Sequence, residues 1–348
     1  MPSFPFADEP VLTAVTRSGR VESWHRGTVA VWHGNDLLLA AGDPNVEVIC
    51  RSATKPLQAL PFLERGLDRR FHLDDKEIAV MCASHDGAEI HTTAVRSFLK
   101  KASLHEGQLG CGPHAPFDSG AREALRQQGQ KPMRVHNNCS GKHTGFLCLA
   151  RECGDALGSY LDPSSKSQRE VAAVVAAMAS VQSLPERGTD GCGAPTFVLP
   201  LVGLARAFAR LANPSDLGSV RKAACERIHE AVRREPSLVA GQQRLCTALL
   251  KSVPAVRFAK NGAEGVYAVA LAPDPSRVRC PEAIGIAVKI GDGSDRGYLP
   301  VVVDLLVHLG AVPQQVPAPL VPFHVQTVKN TRDQEVGFVR CVHPWGEL

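Results

Sequence analysis

The sequence predicts a mixed α/β (α+β) fold in which a sheet is built from both chain ends and a helical subdomain is inserted between them. Alternating apolar residues near both ends are typical of β-strands, and apolar residues spaced three and four apart through the middle are typical of helices. No Pro/Gly/Ser-rich linker interrupts the 348 residues. We therefore expect one domain over residues 1–348, with a sheet subdomain at about 10–55 and 255–345 and a helical subdomain at about 56–254.

The strand predictions follow from the alternating pattern in chain order. Residues 28–32 and 36–40 flank a His-Gly-Asn turn and predict a β-hairpin. Strand character returns after the helical region, at residues 265–271 and 283–290, and a last pair is expected near residues 323–328 and 335–341.

Helical periodicity covers most of the chain from Lys55 to about Leu250. The clearest segments are residues 77–83, 89–104, 167–180, 195–211 and 217–234, and one more amphipathic helix is expected over residues 296–309.

The composition excludes several classes of function. The chain is 44% hydrophobic and 21% charged, which is typical of a soluble globular protein, and its net charge of +4 is not concentrated in a basic patch. We therefore expect no nucleic-acid partner. The apolar stretches are shorter than the roughly 18–20 residues that a membrane span needs, and the first residues lack the features of a secretory signal. We expect a cytoplasmic protein without a membrane partner.

The eleven cysteines are scattered and form no Cys-x-x-Cys pair. A disulfide framework is not expected in a chain of this kind. Most of these thiols are therefore interpreted as small buried apolar groups.

Ser52 and Lys55 form a Ser-x-x-Lys pattern at a predicted helix start. Pro56 is compatible only with the first helical turn, so Ser52 lies near the N-terminus of the helix, where backbone N–H groups favour developing negative charge. Lys55 is one turn further along and can take the proton of the serine hydroxyl. The alternative is a helix cap with a surface lysine.

Ser84 and Lys260 are a second serine and a second lysine that are candidates for catalysis. Ser84 follows a predicted helix, and Lys260 precedes a Gly-rich turn that leads into a strand. Together with Ser52 and Lys55 they resemble the three-part layout of serine β-lactamases and penicillin-binding proteins. The alternative for Lys260 is a loop cation.

Cys139, Lys142 and Cys192 lie in two polar, Gly-rich segments that precede predicted helices. A helix start favours thiolate over thiol, and thiolates suit metal ligation, with zinc as the usual choice. Two ordinary turn cysteines are the alternative from the residues alone.

Several motifs, taken in order, resemble the L-asparaginase II family, the rhizobial-type or class 3 asparaginases. The motifs are Arg51-Ser52-x-x-Lys55-Pro56-x-Gln58, Ser84-His85-x-Gly87 with His91, Cys111-Gly112-Pro113-His114-x-Pro116, Asn138-Cys139-Ser140-Gly141-Lys142-His143, Asp190-Gly191-Cys192-Gly193-x-Pro195 and Lys260-x-Gly262-Ala263-Glu264-Gly265. The resemblance covers nearly the whole chain.

The resemblance implies a β-lactamase-like fold, a homodimer, and hydrolysis of L-asparagine to L-aspartate and ammonia. It implies two Ser-Lys pairs, Ser52–Lys55 and Ser84–Lys260. It also implies one zinc ion, and the expected roles of the remaining residues are zinc ligation by Cys139, Lys142 and Cys192 and substrate binding by Arg51, His85 and Asp190.

Two other classes of function fit parts of the sequence. The same layout serves acyl transferases that act on β-lactams or peptidoglycan, and these would react with a chromogenic cephalosporin. A non-catalytic zinc or redox protein would bind zinc without amidase activity and would be indifferent to the change Ser52→Ala.

Overall fold

The computed structural model describes residues 8–277 and 280–346. Its fold is the mixed α/β class that the sequence predicts, with an antiparallel sheet drawn from both chain ends and helices drawn largely from the middle. The chain divides into two compact units. The first comprises Met1–Ala53, Leu199–Asn213 and Ala248–Leu348, and the second comprises Thr54–Val198 and Pro214–Thr247.

The described residues contain eleven strands and twelve α-helices. The strands are β1 (Val11–Arg17), β2 (Arg20–His33), β3 (Asp36–Ala41), β4 (Glu47–Ile49), β5 (Arg187–Thr189), β6 (Pro195–Pro200), β7 (Val256–Gly262), β8 (Val266–Leu271), β9 (Ile284–Ile290), β10 (Gln326–Lys329) and β11 (Glu335–Cys341). The helices are α1 (Lys55–Glu64), α2 (Leu67–Arg70), α3 (Asp75–Met81), α4 (Glu89–Lys101), α5 (Ser119–Gln127), α6 (Ser140–Cys153), α7 (Lys166–Ala179), α8 (Leu201–Ala212), α9 (Ser219–Arg234), α10 (Leu245–Ser252), α11 (Asp295–His308) and α12 (Val321–His324). Within these residues, every helix falls short of the length and apolar character that crossing a bilayer would require.

The first unit is organised around an eight-stranded antiparallel sheet. The strand order is β10-β11-β1-β2-β9-β8-β7, and β3 pairs with β2. The predicted hairpin is confirmed, because His33 of β2 is opposite Asp36 of β3. Val15 of β1 is opposite Val339 of β11, so the pairing joins the two ends of the chain. The sheet therefore depends on contacts between residues very distant in sequence.

Helices α8 and α11 cover opposite faces of this sheet. Gly285 of β9 touches α8, where an added Cβ would lie 1.8 Å from the carbonyl oxygen of Ala205. Ile290, five residues further along the same strand, packs its side chain against Gly297 of α11. Because successive strand residues point to opposite faces, an odd spacing of five places the two helices on different sides. Glycine at 285 is needed for the close approach of α8.

The second unit is a helical assembly around α1. Nine of its ten residues are buried, and α3, α6, α7 and α9 surround or adjoin it. Helix α6 approaches the end of α3 closely, since a Cβ on Gly141 would lie 2.2 Å from the carbonyl oxygen of Val80. Glycine at this position therefore allows the packing that brings the start of α6 beside the end of α3.

The helix predicted over residues 195–211 is wrong at its start, over residues 195–200. The sequence analysis expects a helix from Pro195, but Pro195–Pro200 is strand β6, and α8 begins only at Leu201. Phe197 of β6 is opposite Arg187 of β5, which makes a short hairpin. The segment is apolar at nearly every position, and such a run does not distinguish a buried strand from a buried helix.

Candidate active site

Ser52 lies in a single 3₁₀ turn, Arg51–Thr54, that leads directly into α1. Pro56 occupies the first turn of α1, as predicted, because its missing N–H costs nothing there. Ser52 is half-buried, whereas Lys55 is completely buried. Arg51 has a φ of 49°, a left-handed conformation that is costly for a residue with a side chain and is often found at functional sites.

The Lys55 Nζ atom is held by three oxygens of the helical unit. It is 2.6 Å from the carbonyl oxygen of Ala83, 2.9 Å from Ser84 Oγ and 3.3 Å from the carbonyl oxygen of Asn138. As an ammonium it would donate to all three; as an amine it would donate to the two carbonyls and accept the serine proton. The geometry therefore suits proton exchange between Lys55 and Ser84.

Ser84 is fixed by the end of α3 and the segment that follows it. Helix α3 begins with a capping box formed by Asp74 and Glu77. Beyond its last turn, the Ser84 N–H donates to the carbonyl oxygen of Val239, and the His85 N–H donates to that of Asn138. These two backbone bonds set the direction of the Ser84 side chain.

His85 is fully buried and both of its ring nitrogens are occupied. Nδ1 accepts the Gly87 N–H at 3.1 Å, so Nε2 carries the proton and donates to Ser140 Oγ at 2.9 Å. Burial holds the pKa of His85 well below its usual range. The ring also stacks on His91 at 5.0 Å. His85 thus bonds Ser140 through its ring and Asn138 through its backbone N–H.

Lys260 lies within strand β7, two residues before its end, so the alternative of a loop cation is wrong. It is completely buried, and its Nζ donates to the carbonyl oxygen and to Oδ1 of Asn261 at 2.8 and 3.0 Å. The strand ends at Gly262, where a Cβ would lie 2.7 Å from the carbonyl oxygen of Cys50. Within the first unit, the end of β7 thus borders the segment that carries Ser52.

Cys139, Lys142, Asp190 and Cys192 form a compact polar cluster in the second unit. Cys139 is the N-cap residue of α6, and Lys142 lies in the first turn of that helix. Asp190 and Cys192 lie in the turn of the β5–β6 hairpin, so the expectation that Cys192 precedes a helix is wrong. The ligand atoms of Cys139, Asp190 and Cys192 all lie within 4.8 Å of one another, and Lys142 Nζ is 3.4 Å from Cys192 Sγ.

The two thiols of this cluster share one proton. A hydrogen bond from Cys139 lowers the pKa of Cys192 to about 5, and the same bond raises the pKa of Cys139 to about 12. Burial alone would lower the pKa of Lys142, but the charges of Cys192 and Cys139 outweigh it and raise that pKa. The cluster therefore combines a thiolate, a thiol, an ammonium and a carboxylate, a donor set that can hold a divalent metal after loss of the thiol and ammonium protons.

The L-asparaginase II family profile matches residues 13–341, almost the whole chain. The chain belongs to the L-asparaginase II family. This membership makes it an amidohydrolase. The comparison with curated proteins finds no match.

Several solved structures are similar at low identity. The native form of Mglu is 15% identical with a TM-score of 0.35, covering 84% of this chain, and the chain spans 66% of the length of Mglu. A probable glutaminase of Bacillus subtilis is 14% identical with a TM-score of 0.36, covering 78% of this chain and 83% of its own. The family assignment rests on the match over residues 13–341.

Asn138 links several parts of this candidate site through its backbone. Its N–H donates to His114 Nε2 at 2.9 Å, while its carbonyl oxygen accepts from Lys55 and from the His85 N–H. The neighbouring Asn137 side chain donates to the carbonyl oxygen of Gly112 at 2.6 Å. The motif at residues 111–116 thus holds the segment that precedes Cys139.

Sequence reasoning assigns no role to His114, His143 or Tyr160. His114 and His143 stand in family motifs, which marks them as candidates without giving a function. Tyr160 stands in no motif, yet its hydroxyl is 2.6 Å from His143 Nδ1. No sequence signal would have found it, because the contact depends on the packing of residues 157–160 against α6.

Proposed function

We propose that this chain is an L-asparaginase, hydrolysing the side-chain amide of L-asparagine to L-aspartate and ammonia by a Ser-Lys mechanism. The observation that carries the proposal is the buried Lys55 amine, 2.9 Å from Ser84 Oγ and oriented by two carbonyl oxygens. A buried lysine in contact with a serine hydroxyl can pass a proton through it, and a Ser-Lys mechanism requires such a transfer. Family membership supports the amide as the bond that is attacked.

In the proposed mechanism, Ser52 is the nucleophile and Lys55 its base. A bond forms between Ser52 Oγ and the amide carbon, and Lys55 takes the hydroxyl proton. The C–N bond then breaks as the proton held by Lys55 passes through Ser84 and Lys260 to the departing nitrogen, which leaves as ammonia and restores neutral Lys55. Water hydrolyses the resulting ester, which releases aspartate and restores the serine. Backbone N–H groups at the turn before α1 are the proposed donors to the transient oxyanion.

Zinc is the proposed cofactor, held by Cys139, Lys142 and Cys192. The donor set fits, because two sulfurs and an amine, with the Asp190 carboxylate within the same small volume, suit zinc better than a hard cation. When bound, zinc supplies a Lewis-acid charge and a cross-link between the start of α6 and the hairpin turn. The protein's own part is to release the shared thiol proton and the lysine proton on binding.

The remaining roles are proposals of the same standing. Arg51 and Asp190 are proposed to bind the substrate's charged groups, and His85 to position Ser84 rather than to touch the substrate. A homodimer and a cytoplasmic location are also proposed, on the family resemblance and the sequence features given above.

The test is ammonia release by purified, zinc-loaded protein from L-asparagine, with L-glutamine and the variant Ser52→Ala run alongside. We expect release from asparagine and a loss of at least ~10³-fold in the variant. Release that persists in Ser52→Ala would exclude Ser52 as nucleophile. No release from folded protein with one zinc per chain would overturn the asparaginase proposal, and turnover of a chromogenic cephalosporin would then support the acyl-transferase alternative.

A further inference from the structure

His143, the residue after Lys142 in α6, is a buried histidine whose ring contacts Tyr160. Its ring packs edge-on against Tyr160, with centroids 5.7 Å apart and planes at 89°. Its Nδ1 atom is 2.6 Å from the Tyr160 hydroxyl oxygen. Both side chains are almost completely inaccessible to solvent.

The Tyr160 hydroxyl determines which nitrogen of His143 carries the proton. The hydroxyl oxygen accepts the Gly110 N–H at 2.5 Å, so its own hydrogen is available for Nδ1 of His143. The ring is therefore neutral, with Nδ1 as acceptor and Nε2–H as donor.

Nε2 of His143 is buried and, among the described residues, has no hydrogen-bond partner. Buried donors are nearly always paired, and an orphan donor in a functional region usually has a ligand as its partner. His143 directly follows Lys142 in α6, and its backbone N–H donates to the carbonyl oxygen of Cys139 at 3.0 Å. The unpaired N–H therefore belongs to the segment that carries Cys139 and Lys142.

We propose that His143 Nε2–H is a binding group that donates a hydrogen bond to an oxygen of the bound substrate, and that Tyr160 is the positioning residue that keeps the proton on Nε2. The inference rests on the proposed function. A neutral N–H donor matches a carboxylate or amide oxygen of asparagine and does not match its ammonium group. Loss of the donor would leave that oxygen unpaired in a buried site.

The direct test is long-range ¹H–¹⁵N NMR of zinc-loaded protein with ¹⁵N-labelled histidines, with the His143 signals identified by their loss in His143→Gln. We expect a protonated Nε2 and an unprotonated Nδ1 in the wild type. Saturating L-aspartate, which offers only oxygen acceptors beside its ammonium group, should shift the Nε2–H proton downfield. A protonated Nδ1, or an Nε2–H that L-aspartate leaves unchanged, would overturn the inference.

Variants separate positioning from simple stability. Tyr160→Phe keeps the ring contact but removes the hydroxyl, so we expect a mixture of tautomers and a ~10- to 100-fold loss in kcat/KM. His143→Gln retains an N–H donor of similar reach and should keep more activity than His143→Leu. Equal activity of the Gln and Leu variants would count against a donor role.

The matched control is Thr13→Val in the sheet unit, which removes a buried hydroxyl that donates to the Gly297 carbonyl oxygen at 2.7 Å. It should alter neither the tautomer of His143 nor kcat/KM. Failure of the proposed function is distinguishable, since wild-type protein would then release no ammonia. Active protein with an unaffected Nε2–H would overturn this inference alone.

Discussion

Each of the two units contains a buried lysine, Lys55 or Lys260, and the described hydrogen-bond partners of the two lysines lie in different places along the chain. Lys55 stands at the start of a helix, and its three oxygen partners come from two other segments, around residues 83–84 and residue 138. Lys260 stands in the middle of strand β7 and donates to the backbone and side chain of its own neighbour, Asn261. Lys55 is thus tied to two other segments of its unit, and the contacts between Lys260 and Asn261 lie within one strand.

In both regions, a glycine lets two backbone segments approach each other closely. Gly141 brings α6 against the end of α3, near the segment that carries Ser84. Gly262 brings the end of β7 against the carbonyl oxygen of Cys50, next to Ser52. The motifs that contain these glycines are therefore explained by packing as well as by chemistry.

The largest effect on activity is expected from replacing either of the two buried lysines. Lys55→Met and Lys260→Met should each lower kcat for L-asparagine by ~10²- to 10⁴-fold, the range for loss of a proton-transfer group. Steady-state ammonia release measures this. Lys55→Met should also lower the unfolding temperature, because it leaves carbonyl oxygens from two other segments without their donor. Near-wild-type turnover in Lys260→Met would show that the sheet unit contributes no amine to the reaction.

A smaller effect is expected from replacing Gly141 or Gly262 by alanine. Gly141→Ala and Gly262→Ala each force a backbone shift, at a cost of about 1–3 kcal/mol in the free energy of unfolding. Thermal or chemical unfolding measures this, and kcat should fall with it because catalytic groups move. Gly107→Ala is the control, since a Cβ there meets nothing within 4 Å. Equal stability of all three variants would contradict the close-approach argument.

The smallest effect is expected at His114. His114→Ala removes the acceptor of the Asn138 N–H, and we expect a loss of about fivefold in kcat, the size of one modest hydrogen bond. The matched control is His33→Ala in the sheet unit, where His33 Nε2 accepts the Glu282 N–H at 3.1 Å. That variant should retain full activity. Indistinguishable kcat values for the two variants would show that the Asn138 peptide needs no support from residues 111–116.

The elements that the sequence predicts correctly are those whose conformation is decided by residues nearby in the chain. The β2–β3 hairpin follows from alternation around a turn, and the start of α1 follows from Pro56. Strand β11 begins and ends where its pattern predicts, at Glu335 and Cys341. For these elements, neighbours in the chain decide the conformation.

The parts that could not be predicted depend on contacts through space. Strand β6 is apolar throughout, so only its pairing with β5 distinguishes it from a helix. The third partner of Lys55 is a backbone carbonyl at residue 138, and a carbonyl has no signature in the sequence. Motif spacing likewise gives no indication that Tyr160 fixes the tautomer of His143.

The pairing of β1 with β11 has a consequence for synthesis of the protein. A ribosome adds residues 54–198, the larger part of the helical unit, long before it reaches the strands at residues 256–341. Until β7 emerges, the turn that carries Ser52 lacks the neighbour that Gly262 provides, and until β11 emerges one edge of β1 has no partner. Domains generally fold as units during translation. The helical unit can therefore fold before β7 and β11 are made, whereas the sheet can be completed only after β11 has emerged.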